Sequence, residues 1–166
     1  MKKILAVLIS FLTIGLSSCG SSKDAEVNLN FPYSCKAEIN HEDKSYLLEL
    51  TRDENATWKT VFILPETICD LSITSFGESC TMDFNELQFT ADKNKFPATS
   101  IASLLTSSLD HATSSSDAKC TERRGIKTVT GSIDDINYIL TIEDDCIEKL
   151  EISDKDFVAE FSEFEK

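Results

Sequence analysis

Apolar and polar side chains alternate with a period of two through most of this sequence, and that pattern narrows the folds open to it. Successive residues of a β-strand point to opposite faces, so the alternation predicts strands with one buried face. Six such strands are predicted between Phe31 and Ala91, and three more between Lys127 and Ile152. The tail from Phe157 fits either a strand or a helix, and we favour a strand because its aromatic residues lie in a short charged segment.

One segment departs from this period. Ile101, Leu104, Leu105 and Leu109 recur at the spacing of one stripe on an amphipathic helix, which we place from Pro97 to Ala112. The serines and threonines of the opposite face are weak helix formers, so packing must stabilise the helix. Strands, one helix and more strands predict an α+β fold. We expect a curved antiparallel sheet of about eight to ten strands, an unclosed half-barrel, with one central helix packed on its concave face.

The N-terminal segment has the composition of a secretory signal peptide. Lys2 and Lys3 precede an apolar run from Ile4 to Leu16, and small residues then lead to Cys19. The run is shorter than the roughly 20 residues that a membrane-spanning helix needs. With a leucine three residues before it and a glycine after it, Cys19 resembles the cysteine of a bacterial lipobox. That resemblance implies removal of the leader and lipidation of Cys19.

These features predict three segments: a lipoprotein signal peptide over 1–18, a flexible polar tether over 19–30 and a single half-barrel domain over 31–166. The expected location is extracytoplasmic, with the chain anchored to the cell membrane through lipidated Cys19. The formal charge of −13 argues against a nucleic acid partner. The sequence indicates no particular protein partner.

The chain shows no motif typical of catalysis, so we expect a protein that is not an enzyme and has no cofactor. Its two histidines, His41 and His111, have no nucleophile motif beside them. Because the sequence also has no Cys-x-x-Cys, no metal site is predicted. The adjacent carboxylates Asp134-Asp135 and Asp144-Asp145 are interpreted as turn residues.

Six cysteines are present, and lipidation of Cys19 would leave five. An odd number means that at least one thiol stays free or pairs between chains. Cys120 and Cys146 flank the second group of strands, so they form the candidate disulfide. The alternative is that the cysteines on strand faces are small core residues.

A curved sheet that does not close has an apolar interior, which a lipid or an acyl chain could enter. The side chains that we expect to line such a site come from the helix stripe and from one strand: Ile101, Leu104, Leu105, Leu109, Trp58 and Phe62. The alternative is a structural or interaction lipoprotein whose helix fills the interior completely. The sequence leaves both open.

Several segments together point to a family. They are Tyr33-Ser34-Cys35-Lys36-Ala37, the Trp58 strand ending in Pro65-Glu66, Leu87-Gln88-Phe89, the helix over 97–112, Gly131 with Tyr138 to Ile142, and Phe161-Ser162-Glu163-Phe164. This pattern resembles small Gram-positive lipoproteins with the half-barrel of the outer-membrane lipoprotein carrier superfamily and of related mycobacterial lipid-carrying lipoproteins. The resemblance implies a concave apolar sheet, plugged by helical segments, whose cavity takes acyl chains. The chain departs from the carriers, which are usually soluble, in its predicted anchor and its single helix.

Overall fold

The computed structural model describes residues 23–95, 97 and 100–166, so the predicted leader and Cys19 lie outside the described residues. Within that part of the chain there are twelve β-strands, one α-helix and three short 3-10 helices. The strands are β1 Lys23–Asp24, β2 Tyr33–His41, β3 Lys44–Arg52, β4 Trp58–Leu64, β5 Ser72–Phe76, β6 Ser79–Phe84, β7 Leu87–Asp92, β8 Lys119–Arg123, β9 Ile126–Ile133, β10 Ile136–Glu143, β11 Cys146–Ile152 and β12 Phe157–Glu165. The helix α1 is Ile101–Ser114, and the 3-10 helices are Glu66–Ile68, Lys93–Lys95 and Ser153–Lys155.

All twelve strands belong to one sheet, in which each described pair is antiparallel. The strand order is β1-β8-β9-β10-β11-β12-β2-β3-β4-β5-β6-β7, so β1 and β7 are the two edges and the sheet does not close into a barrel. The sheet is therefore two meanders, β2 to β7 and β8 to β12, joined where β12 pairs with β2. This confirms the predicted open antiparallel sheet with one helix. It also shows that the tail is a strand in the middle of the sheet.

The strand count exceeds the eight to ten that we expected, because β1 and β8 carry little periodic signal. β1 has only two residues. β8 reads Lys-Cys-Thr-Glu-Arg, with charged residues at three of its five positions, and only its pairing with β9 identifies it as a strand. Both strands are fixed by their neighbours in the sheet, which outweighs weak local propensity.

The helix begins at Ile101 and not at Pro97, because Ser100 caps it. The Ser100 side chain accepts a hydrogen bond from the backbone N–H of Ser103 at 3.3 Å, as expected of an N-cap serine. The helix also continues two residues past its predicted end. There the Ser114 hydroxyl donates to the Asp110 carbonyl at 2.6 Å, which satisfies a carbonyl of the last turn. The buried face of α1 packs chiefly on β9 and β10.

The structure corrects the predicted tether over its described part, residues 23–30. Lys23 and Asp24 pair with Glu122 and Thr121 of β8. Leu29 is buried in the core, because moving an apolar side chain from water into the protein interior lowers the free energy. Every described element and the described core lie within residues 23–166, so a chain that begins at Gly20 keeps the whole described fold.

The candidate disulfide is also wrong. Cys120 lies opposite Val129 of β9, whereas Cys146 lies opposite Glu143 of β10. Two strands therefore separate β8 from β11, and three interstrand spacings amount to about 14 Å. A disulfide needs Cα atoms about 4.4–6.8 Å apart. The five described cysteines are free thiols: Cys35, Cys69, Cys80, Cys120 and Cys146.

Candidate functional site

The predicted lining residues meet, but they fill the space that they were expected to line. Five of the six side chains are buried in one continuous core and the sixth, Ile101, is partly buried against it; the five are Trp58, Phe62, Leu104, Leu105 and Leu109. Only Leu104 also faces an open groove. The space between the helix and the middle of the sheet is therefore occupied by this chain's own side chains.

Two polar contacts tie the end of α1 to both meanders. The Trp58 indole N–H on β4 donates to Asp110 Oδ1 at 2.8 Å. One residue further along the helix, His111 Nδ1 lies 2.9 Å from the Tyr138 hydroxyl on β10. The sequence drew attention to His111 only as a histidine without a nucleophile motif and did not single out Asp110. A carboxylate next to the apolar stripe, in a chain with one tryptophan, was the available signal.

Asp110 is a partly buried carboxylate. Burial raises its pKa, and the hydrogen bond from Trp58 with the positive charges of Lys93 and Arg52 opposes that effect in part. The Arg52 guanidinium carbon lies 5.7 Å from the centre of the Trp58 ring, within cation–π range. Burial also raises the pKa of Tyr138 to about 12, so its hydroxyl stays protonated at neutral pH. Two hydrogen bonds thus hold the end of the helix, and the carboxylate in one of them, Asp110, is partly removed from water.

This arrangement gives a prediction for Asp110. Because burial raises the carboxyl pKa in the folded state, its contribution to stability is greatest below the unfolded pKa near 3.8 and is lost as pH rises through the folded pKa. Asp110→Asn still accepts from Trp58 without carrying a charge. We therefore expect the free energy of unfolding of Asp110→Asn, relative to that of the unsubstituted chain, to increase as the pH is raised from 4 to 7. The measurement is urea unfolding at each pH.

Asp110→Ala is the matched comparison, because it leaves the Trp58 N–H without its acceptor. A buried unsatisfied donor costs about 1–3 kcal/mol, so the alanine variant should be less stable than the asparagine variant by that amount at every pH. Equal stability of the two variants would show that the hydrogen bond contributes nothing.

We call the face of the sheet that carries α1 the concave face and the opposite one the convex face. Apolar side chains of the concave face remain exposed where the helix does not reach. Directly opposite residues of antiparallel strands share a face, so the row Leu50, Thr60, Ile73, Met82 and Phe89 lies on one face from β3 to β7. The first two are buried, Ile73 is 6% exposed, Met82 is partly buried, and Phe89 is 63% exposed. Burial thus falls steadily toward the β7 edge.

We call this uncovered region the open strip. Its members are the apolar residues of β6 and β7 that lie on the concave face without being fully buried: Met82, Phe84, Leu87, Phe89 and Ala91. Leu87 is 75% exposed. By contrast Phe76, which is 59% exposed, lies on the opposite, convex face, since it alternates with the concave-face residues Ile73 and Ser75. The two exposed phenylalanines therefore differ in face and not in exposure.

A groove of about 220 Å³ lies at one end of the open strip. The backbone N–H of Lys93 donates to the Glu78 carbonyl at 2.6 Å, so the strand pairing continues one step past β7 and Lys93 follows Ala91 on the same face. The groove is lined by that end of β7, by α1 and by the β9–β10 turn, with the residues Lys93, Asn94, Ser103, Leu104, Ser107, Ser108, Ile133, Asp134 and Ile136. It therefore lies where the two meanders approach each other across the helix.

Two further observations limit the chemistry of the described residues. No group of three or more His, Cys, Asp or Glu side chains among them is placed to hold a metal ion. Within the same ranges, no helix combines the length and hydropathy needed to cross a membrane. The open strip and the groove next to it are the candidate site.

No protein-family model and no curated protein matches this sequence significantly. Among solved structures, the chain is similar to an uncharacterised conserved protein from Thermus thermophilus, with 9% identity, a TM-score of 0.56, and coverage of 83% of this chain and 80% of that one. It is also similar to a LolA superfamily protein from Nitrosomonas europaea, with 9% identity, a TM-score of 0.45, and coverage of 84% and 87%. The first of these similarities extends over most of both chains and shows a shared fold.

Proposed function

We propose that this chain is an extracytoplasmic lipoprotein, anchored through Cys19, that binds an apolar ligand on the open strip and is not an enzyme. The observation that supports ligand binding most is the exposure of Phe89 and Leu87 on the face that forms the core elsewhere. Contiguous exposed apolar side chains of this kind mark binding surfaces in soluble domains. The ligand site thus lies beside the helix and not beneath it.

The energy available from this surface indicates how much of it a ligand must cover. Burying a large apolar side chain is worth about 1.5–3 kcal/mol, so Phe89 and Leu87 together supply about 3–6 kcal/mol. A micromolar complex needs about 8 kcal/mol, after the costs of association. A ligand of that affinity must therefore also cover Met82 and Phe84 or enter the groove. An acyl chain with a polar end fits that description better than a compact molecule.

The second candidate is a structural or interaction lipoprotein without a ligand, and the filled space under the helix favours it. In that case the open strip would face a partner protein at the membrane surface.

Ligand uptake by the chain that begins at Gly20 separates the two candidates. Native mass spectrometry and titration with a fluorescent fatty acid should show a one-to-one complex with a dissociation constant in the micromolar range. A chain that purifies without lipid and takes up none of the probe would favour the interaction module and contradict ligand binding.

The anchor has its own test. In bacteria labelled with a palmitate analogue, we expect the unsubstituted protein to carry label and to sediment with membranes. Cys19→Ser should lose the label and keep the 18-residue leader, because the lipobox cysteine is both the acceptor and the cleavage point. Cys120→Ser is the control and should keep the label. A labelled Cys19→Ser variant would refute anchoring through this residue.

A further inference from the structure

We propose that the groove beside the open strip binds an uncharged, hydroxyl-bearing head group, so that the ligand is a neutral amphiphile such as a monoacylglycerol and not a free fatty acid or a phospholipid. This inference rests on the proposed function, since the groove begins at Lys93, two residues past the Ala91 end of the strip on which the acyl chain would lie.

The position of the groove fits a head group. Lys93 directly follows β7 and lies four positions along the chain from Phe89, a span of about 13 Å at the rise of an extended strand. A ligand whose chain covers Phe89 and Leu87 therefore reaches the groove with its polar end. The volume of about 220 Å³ is below the roughly 300–1,000 Å³ of pockets that enclose a whole small ligand. The groove suits one end of an elongated molecule.

The polar lining matches hydroxyl groups. Ser103, Ser107 and Ser108 place three hydroxyls on the helix side, and Asn94 adds an amide from the other wall. A hydroxyl both donates and accepts, and an amide offers each function separately, so this wall can satisfy ligand hydroxyls in either direction. Ser108 is buried, which places its polar group where water has little access.

The charges of the groove disfavour an anion. Lys93 is the one cation of the lining and Asp134 is its one anion, so the lining has no net charge. Lys93 also lies close enough to Asp110 to interact with that carboxylate. Asp134 and Asp110 thus balance the two nearby cations, Lys93 and Arg52, in a chain whose formal charge is −13. A carboxylate or phosphate head group would lose its hydration without gaining an unopposed cation.

The test compares three probes with the same acyl chain: a monoacylglycerol, the free fatty acid and a lysophosphatidic acid. Each displaces a fluorescent fatty acid from the chain that begins at Gly20, at pH 7. We expect the monoacylglycerol to bind at least about tenfold more tightly than either anion. Ser107→Ala should remove most of that preference and leave fatty acid affinity unchanged, because sites that bind a ligand hydroxyl discriminate through it. Ser116→Ala, in the loop after the helix, should behave like the unsubstituted chain.

The outcomes distinguish failure of the head-group assignment from failure of the proposed apolar site. Binding of all three probes with equal affinity, tighter binding of an anion, or no effect of Ser107→Ala would overturn the head-group assignment and leave the apolar site in place. Failure of every probe to bind would instead overturn the proposed function, and the head-group assignment with it.

Discussion

Leu105→Ala is expected to lower the free energy of unfolding by about 2–5 kcal/mol, the range for deleting most of a buried leucine side chain. Leu105 is fully buried on the face of α1 that packs against the sheet. The rest of the helix cannot compensate, because its serine- and threonine-rich sequence has low intrinsic helix propensity. A domain of this size has about 5–15 kcal/mol of stability in total, so the variant should lose a large fraction of it.

The measurement is urea unfolding followed by circular dichroism and by the fluorescence of Trp58, whose indole contacts the helix through Asp110. Leu87→Ala is the matched control, since it is the same substitution at a leucine that is 75% exposed. Its stability should change by no more than about 0.5 kcal/mol. Equal loss of stability in the two variants would show that packing of the Leu105 face of α1 against the sheet does not stabilise the helix.

The sequence predicted the sheet well because alternation is a local signal. Most strands of the first meander carry apolar residues at every second position, with exceptions such as Thr60 and Ser75, and the turns between them are polar. The signal failed at Lys119–Arg123, where charges occupy three of five positions and pairing with β9 decides the structure. It failed again at Leu29, where one apolar residue in a polar segment packs into the core.

The incorrect disulfide prediction also came from relying on a local signal. The sequence showed only that Cys120 and Cys146 flank the second group of strands, and it did not identify Lys119–Arg123 as a separate strand. The structure instead inserts β9 and β10 between the two strands that carry these cysteines. Alternation gives the face on which a residue lies, but it does not number the strands between two residues.

The candidate site was harder to predict, because it depends on where the helix lies across the sheet. Alternation gave the inward-facing residues correctly, and Trp58 and Leu105 do meet. It could not say that they fill the space between them, which depends on side-chain volumes in three dimensions. Nor could it show that Phe89 stays exposed, since that follows from the position of α1 over β9 and β10, away from β7. Strand residues with one alternating pattern thus became core at one end of the row and open surface at the other.

Phe89→Ser is expected to weaken binding of a lipid probe to the chain that begins at Gly20 by roughly ten- to a hundredfold. The side chain lies on the concave face and is 63% exposed, so a ligand on the open strip would cover it. Loss of about 1.5–3 kcal/mol of apolar burial corresponds to that change in the dissociation constant. The measurement is titration with the fluorescent fatty acid, together with urea unfolding to confirm that the variant stays folded.

Phe76→Ser is the control that separates the binding face from general loss of apolar surface. Phe76 is exposed to a similar extent, at 59%, but it lies on the convex face. Because it is outside the open strip, its replacement should leave probe affinity unchanged within about twofold, while removing the same side chain from a neighbouring part of the sheet. Equal loss of affinity in the two variants would mean that the probe binds exposed phenylalanine without regard to face. Unchanged affinity in Phe89→Ser would move the ligand away from the open strip altogether.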